Sequence, residues 1–236
     1  MELWYNKIMI YALIIIGALL LGMVLSSLST KFLVDYYEKV KKINASCNTT
    51  AFELLVFFIV TLNLDIKVTR YSNYLDNSYN VNKKLIILSN DVFDNKSVGA
   101  LAVSMHELGH AVQHKNKSFL FKLYVFISFL NKITSFLLLP LIIFLIVSMF
   151  LEIQYFHLAL ILIFVFYLIN LLARIIIIPL EKNASKLAIN LLKEYNIFDA
   201  NELKMANRLL NLACFTYIGG FFNIYIEFIR KVLKGF

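Results

Sequence analysis

Long apolar runs and short polar intervals set the pattern of this chain. Residues 8–28, 133–151 and 156–178 are each close to the roughly 20 apolar residues that a membrane-crossing helix needs, so the pattern predicts three spans. The first reads as an uncleaved anchor, since its apolar run exceeds that of a cleaved signal. Residues 50–62 are also apolar, but the run is short and Glu53 falls inside it, which predicts a buried or surface-seated helix. Two short stretches then change the period. Ile66 and Val68 alternate with Asp65, Lys67 and Thr69, predicting a strand over 64–70, and an Asn-rich turn leads to a second strand over 84–88. Together they predict a small β-hairpin, closed by a helix cap at Ser89 or Asn90. Helical spacing returns over 98–112 and again over 119–130, an aromatic segment expected to lie at a membrane interface. Pro140 is expected as a kink in the second span, and Pro179 as the start of a new helix after the third. That helix runs to about Tyr195, and Asp199 with Glu202 three residues on predicts the capped start of another. Residues 215–229 are apolar but are interrupted by Gly219, Gly220 and Glu227, which favours a packed or interfacial helix over a fourth span.

Composition strengthens the expectation of a membrane protein. Hydrophobic residues make up 60% of the 236, charged residues 16%, and the mean hydropathy is +0.74, outside the usual balance of a soluble domain. The net charge of +8 does not point to nucleic acid, because the lysines border apolar runs and form no patch interleaved with aromatics. Lys31, Lys39, Lys41 and Lys42 instead follow the first run and, by the positive-inside bias, place the next segment in the cytoplasm. Localisation is thus expected to be integral and multi-pass in a cell membrane, with the bilayer as a partner. Cys47 and Cys214 match no metal or redox spacing and read as ordinary thiols.

The chemistry concentrates at His106-Glu107-Leu108-Gly109-His110, an H-E-x-x-H pattern within the helical segment. Positions four apart share a helix face, so both imidazoles can aim at one ion, and neutral imidazole suits Zn2+. Glu107 is the expected catalytic base, acting on a water that the metal brings to a pKa of about 7. Two histidines leave such a site one protein ligand short. Counting two crossings after His110 returns the chain to the same side at Pro179, which makes Glu181 the best candidate, with Ala184, Ser185 and Ala188 small enough for close helix approach. His114 is the rival, but it lies roughly 12 Å of helical rise from His106. Tyr217 reads as an interface aromatic or a donor to an oxyanion, Arg174 as a snorkelling cation or a partner for a site carboxylate, and the 85–88 strand as a structural hairpin strand or an edge for an extended peptide.

Four stretches of the chain together resemble the YugP-type neutral zinc metallopeptidases, a family of bacterial membrane-bound, gluzincin-like proteases: Tyr79 with Leu88-Ser89; Ser97-Val98 through His106-Glu107-Leu108-Gly109-His110-Ala111-Val112-Gln113; Ile178-Pro179-Leu180-Glu181-Lys182-Asn183-Ala184-Ser185; and Leu210 through Thr216-Tyr217. The resemblance implies zinc at His106, His110 and Glu181 with Glu107 catalytic, and a more distant similarity to HtpX-like and CAAX-prenyl endopeptidases. Where the family carries an acidic, His-containing turn, this chain has Asn77-Ser78-Tyr79-Asn80. The resulting expectation is an α-helical membrane protein with a small β-hairpin and a zincin-like metalloprotease domain inserted between transmembrane helices. Its parts are an anchor (1–30), a cytoplasmic zincin-like segment (31–118), an interfacial helix with two spans (119–178), and a helical segment supplying the third ligand (179–236). The function expected is zinc-dependent endopeptidase action on membrane-associated peptides or proteins. Alternatives are an inactive metal-binding membrane scaffold and an intramembrane site-2-type metalloprotease. The latter is disfavoured because Lys96 and Lys115 flank a motif helix too short and polar to be a span.

Overall fold

The computed structural model describes residues 24–71, 77–150 and 156–219. They fall into two compact units, one made of the chain up to Ala111 and from Ala184 onward, the other of Val112–Asn183.

In the first unit a helix over 24–40 (α1) leads through a turn to α2 (Ala51–Thr61). The start of α2 is a reciprocal cap. The Thr50 N–H donates to Glu53 Oε2 at 2.8 Å and the Glu53 N–H donates to Thr50 Oγ1 at 3.2 Å. These bonds, the backbone one foremost, hold the Glu53 carboxyl below its ordinary pKa. The acid that interrupts an apolar run in the sequence is therefore the residue that starts the helix. Asn63 ends it in the left-handed region at φ 48°, with the Leu64 N–H reaching back to the Ile59 carbonyl at 2.9 Å. Ala51, Leu54, Leu55 and Phe58 form its buried face.

The sheet departs from the expected hairpin. It has three strands, β1 (Lys67–Tyr71), β2 (Ser78–Asn80) and β3 (Leu85–Ser89), in the order β1-β3-β2. The two strands read from the sequence, β1 and β3, pair in parallel, Lys67 opposite Leu85 through Tyr71 opposite Ser89. The antiparallel partner of β3 is β2, which lies where the sequence shows an Asn-rich turn. Alternation reports which faces a strand presents and says nothing of its neighbour, so it could not separate these pairings. β3 is central and paired on both sides, so the 85–88 strand is not an edge that could accept an extended peptide. Its Ile86 and Leu88 are fully buried, while Asn77 Oδ1 accepts from the Ser89 N–H at 2.9 Å and anchors the strand end.

From Ser89 a short α3 (Asn90–Phe93) carries the chain to α4 (Val98–Lys115). Ser97 caps α4, its Oγ accepting from the Ala100 N–H at 3.2 Å, and the Val98 N–H bonds the Ile43 carbonyl at 2.9 Å. This ties the motif helix to the end of α1. Leu101, Met105 and Leu108 project into the same core as Tyr37, Phe58 and Ile86, all buried. The unit is completed by the last part of α6 (Phe156–Glu194) and by α7 (Ala200–Gly219). As expected, α7 starts on a cap: Asp199 Oδ1 accepts from the Glu202 N–H, and Glu202 Oε2 from the Asp199 N–H, both at 2.8 Å. Glu202 does more than cap. Its Oε1 accepts from the Ser46 N–H at 2.6 Å and its Oε2 from Ser46 Oγ at 2.8 Å, tying α7 to the α1–α2 turn. Glu202→Ala leaves these donors unmatched in a nearly buried place, and about 2 kcal/mol is the expected cost. A thermal melt should then fall by about 4–8 °C; an unchanged midpoint would refute the role.

The second unit holds the last turn of α4, all of α5 (Phe119–Phe150) and most of α6 (Phe156–Glu194). Ser118 caps α5, accepting from the Phe121 N–H at 3.2 Å. Here the sequence divides what the structure joins. The predicted interfacial helix over 119–130 and residues 133–150 of the expected second span belong to one helix, and Pro179 lies inside α6 instead of starting a helix.

The multi-pass membrane architecture is not supported: among the described residues, no helix is long and apolar enough to cross a membrane. With it go the membrane class in the expected fold, the integral placement with its cytoplasmic site, and the bilayer as a partner. The physical reason is that a run of apolar letters does not define an element. Residues 133–150 and 156–178 are stretches of longer helices that also carry Lys122 and Lys132, or Glu181, Lys182, Lys186 and Lys193. A uniformly apolar helical run is as compatible with burial as with lipid. Most of the first expected span (8–28) and residues 220–229 of the last apolar stretch lie outside the described residues.

Candidate metal centre

The site is built from two helices that run past each other in opposite senses. Within the first unit, His106 Nδ1 lies 3.1 Å from Ser185 Oγ, and Gly109 lies against Ala184. Within the second, Gln113 Nε2 donates to the Leu180 carbonyl and to Asn183 Oδ1, both at 2.9 Å. Rising positions on α4 thus meet falling positions on α6, and Glu181 comes one turn before Ser185 on the same face. Leu180, Glu181, Ala184, Ser185 and Ala188 are all buried, the small-residue face anticipated from the sequence.

Gly109 explains how close the helices come. A Cβ added there would stand 2.5 Å from the Ala184 carbonyl oxygen and 3.1 Å from its Cα, so any side chain would strike backbone. The glycine inside the H-E-x-x-H pattern is a contact surface.

The outcome is one cluster. His106, His110 and Glu181 each offer a ligand atom, and these atoms all lie within 4.8 Å of one another. The two imidazoles stand edge to face, centroids 4.8 Å apart with planes at 84°, as expected of ring positions i and i+4 on one helix face. The donor set fits zinc chemically, being two nitrogens and one carboxylate oxygen that leave a position open. Glu107, next to His106 and three positions before His110 on the same helix, is 8% exposed.

Other residues singled out in the sequence fall elsewhere. His114 stacks on Phe121, centroids 5.3 Å apart and 22° between planes, and is not in the cluster. Tyr217 is partly exposed near the end of α7, and the side chain of Arg174 lies outside the described residues. Cys47 and Cys214 are not in disulfides. Sequence reasoning did not single out Gln113 or the bond from His106 to Ser185. For Ser185 a signal existed, its position one helical turn after Glu181; Gln113 stood in the sequence only as the end of a stretch that carries the resemblance.

A two-helix cluster of two histidines and a glutamate beside a second glutamate defines a metallohydrolase class of site. The chain belongs to the family described as "Putative neutral zinc metallopeptidase", which it matches over residues 11–234. It is similar to the "Putative membrane protease YugP" of Bacillus subtilis (strain 168), with 25% identity over 203 residues, covering 84% of this chain and 85% of that protein. No solved structure matches it. The resemblance read from the motif stretches is thus shown at the level of the family, and zinc is its metal.

Proposed function

We propose that this chain is a zinc-dependent endopeptidase in which His106, His110 and Glu181 hold the metal and Glu107 is the general base. The observation that carries this reading is the approach of the three ligand atoms to within 4.8 Å across two helices far apart in sequence. Family membership supports peptide-bond hydrolysis as the reaction and peptides or proteins as the substrates.

When bound, zinc supplies Lewis acidity, lowering the pKa of water and polarising a carbonyl oxygen. The remaining work belongs to the chain. A Glu107 carboxylate oxygen takes the proton that water gives up as its oxygen bonds to the peptide carbon. The same carboxyl then returns that proton to the amide nitrogen, which leaves as the amine when the C–N bond breaks. Protons and bonds balance over the cycle, and Glu107 ends as it began. Burial of Glu107 suits it to this shuttle, since a shielded carboxylate keeps its proton exchange directed at the reacting atoms.

The test is metal content. Purified protein should carry about one zinc per chain, and His106→Ala, His110→Ala and Glu181→Ala should each lower it to a small fraction, because two protein ligands hold zinc poorly. Inductively coupled plasma mass spectrometry on the four proteins decides it. Full occupancy in any one variant removes that residue from the ligand set.

A further inference from the structure

We propose that Ser185 is the positioning residue for His106, fixing the tautomer in which the ring presents Nε2 to the metal. This rests on the ligand role proposed for His106. The argument starts from the 3.1 Å separation of His106 Nδ1 and Ser185 Oγ. A neutral imidazole carries one proton, and a nitrogen that binds a metal cannot hold it. If Nε2 is the ligand atom, Nδ1 carries the proton and donates it to the Ser185 hydroxyl oxygen, which has lone pairs to accept it. Ser185 is buried at 6% exposure, so water competes weakly for this bond and the ring's orientation is set by the protein.

The placement of Ser185 gives the arrangement an economy of parts. Glu181 and Ser185 are four apart on α6, both buried on the face that α4 approaches. A single turn of α6 therefore supplies one ligand and aims another. The Gly109–Ala184 contact lies between them in register and sets the distance over which the serine must reach. A hydrogen bond from a ligand histidine's second nitrogen raises the basicity of the first and removes the cost of ordering the ring at the moment of binding.

Zinc affinity is the readout, measured by competition with a chromophoric chelator on purified full-length protein. Ser185→Ala should weaken zinc binding by about 10–100-fold, the usual cost of losing such a partner. The matched pair Ser185→Thr and Ser185→Val separates the hydroxyl from packing, because the two side chains have nearly the same volume and branching. The threonine variant should bind zinc within a few-fold of the parent and the valine variant as weakly as the alanine one. Equal affinities for threonine and valine variants overturn the proposal, whether both are strong or both are weak. His106→Ala is run alongside. If it too leaves zinc binding unchanged, the ligand assignment has failed; if it abolishes binding while the valine and threonine variants remain equal, only the role of Ser185 has failed.

Discussion

Glu107→Gln should leave zinc bound at about one per chain while peptide hydrolysis falls by at least about 100-fold, a loss of roughly 2.7 kcal/mol of transition-state stabilisation. The substitution is nearly isosteric, so the buried position of Glu107 is refilled without a cavity. What changes is the chemistry, because a carboxamide cannot accept a proton from water at neutral pH. Metal content and turnover of a fluorogenic peptide, measured on the same preparation, separate base from ligand. Turnover at the parent rate with zinc in place would show that another group moves the proton, and the proposed mechanism would be abandoned. Loss of both zinc and turnover would place Glu107 among the groups that build the site instead.

The second large effect is expected at Gly109→Ala. The added methyl carbon would meet the Ala184 carbonyl oxygen at 2.5 Å, where ordinary contact begins at 3.4 Å, a shortfall of 3.4 − 2.5 = 0.9 Å. Because the atoms struck are backbone, no rotamer change relieves the clash, and the helices must shift. Overpacking of this kind costs about 3 kcal/mol, so the melting midpoint should drop by about 6–12 °C. A shift near 1 Å also spoils a ligand group gathered within 4.8 Å, and zinc should be lost well below parent occupancy. An alanine variant that melts and binds zinc like the parent would mean that the α4–α6 approach is not what assembles the centre.

These two residues mark how far the sequence could be read. Glu107 could be nominated from the sequence because helix geometry alone relates it to His106 and His110. The role of Gly109 could not, since its reason is a neighbour 75 positions away, Ala184. Glu181 was selected by counting membrane crossings, a premise the helices do not support; the part of that reasoning that survives is the small-residue face, which is buried. The caps at Asp199 and Glu202 were legible as a local pattern, whereas the bonds from Glu202 to Ser46 were not, being set by tertiary packing. In the sheet, period gave β1 and β3 but not that they run parallel, nor that three polar residues of a turn form β2. Local pattern reports the state of a segment, while partners are chosen by the whole fold.

The register of α4 on α6 has a kinetic consequence. His110 and Glu181 are 181 − 110 = 71 residues apart, and all of α5 lies between them. Joining them closes a long loop, which is slow relative to forming either helix and yields no metal contact until it is complete. Before closure, the chain offers an ion only the pair of imidazoles on α4, a weak and exchangeable site. Zinc capture should therefore be biphasic when metal is added during refolding, with a fast, easily chelated phase followed by a slow one that tracks the docking of α6, and metal added after folding should skip the slow phase.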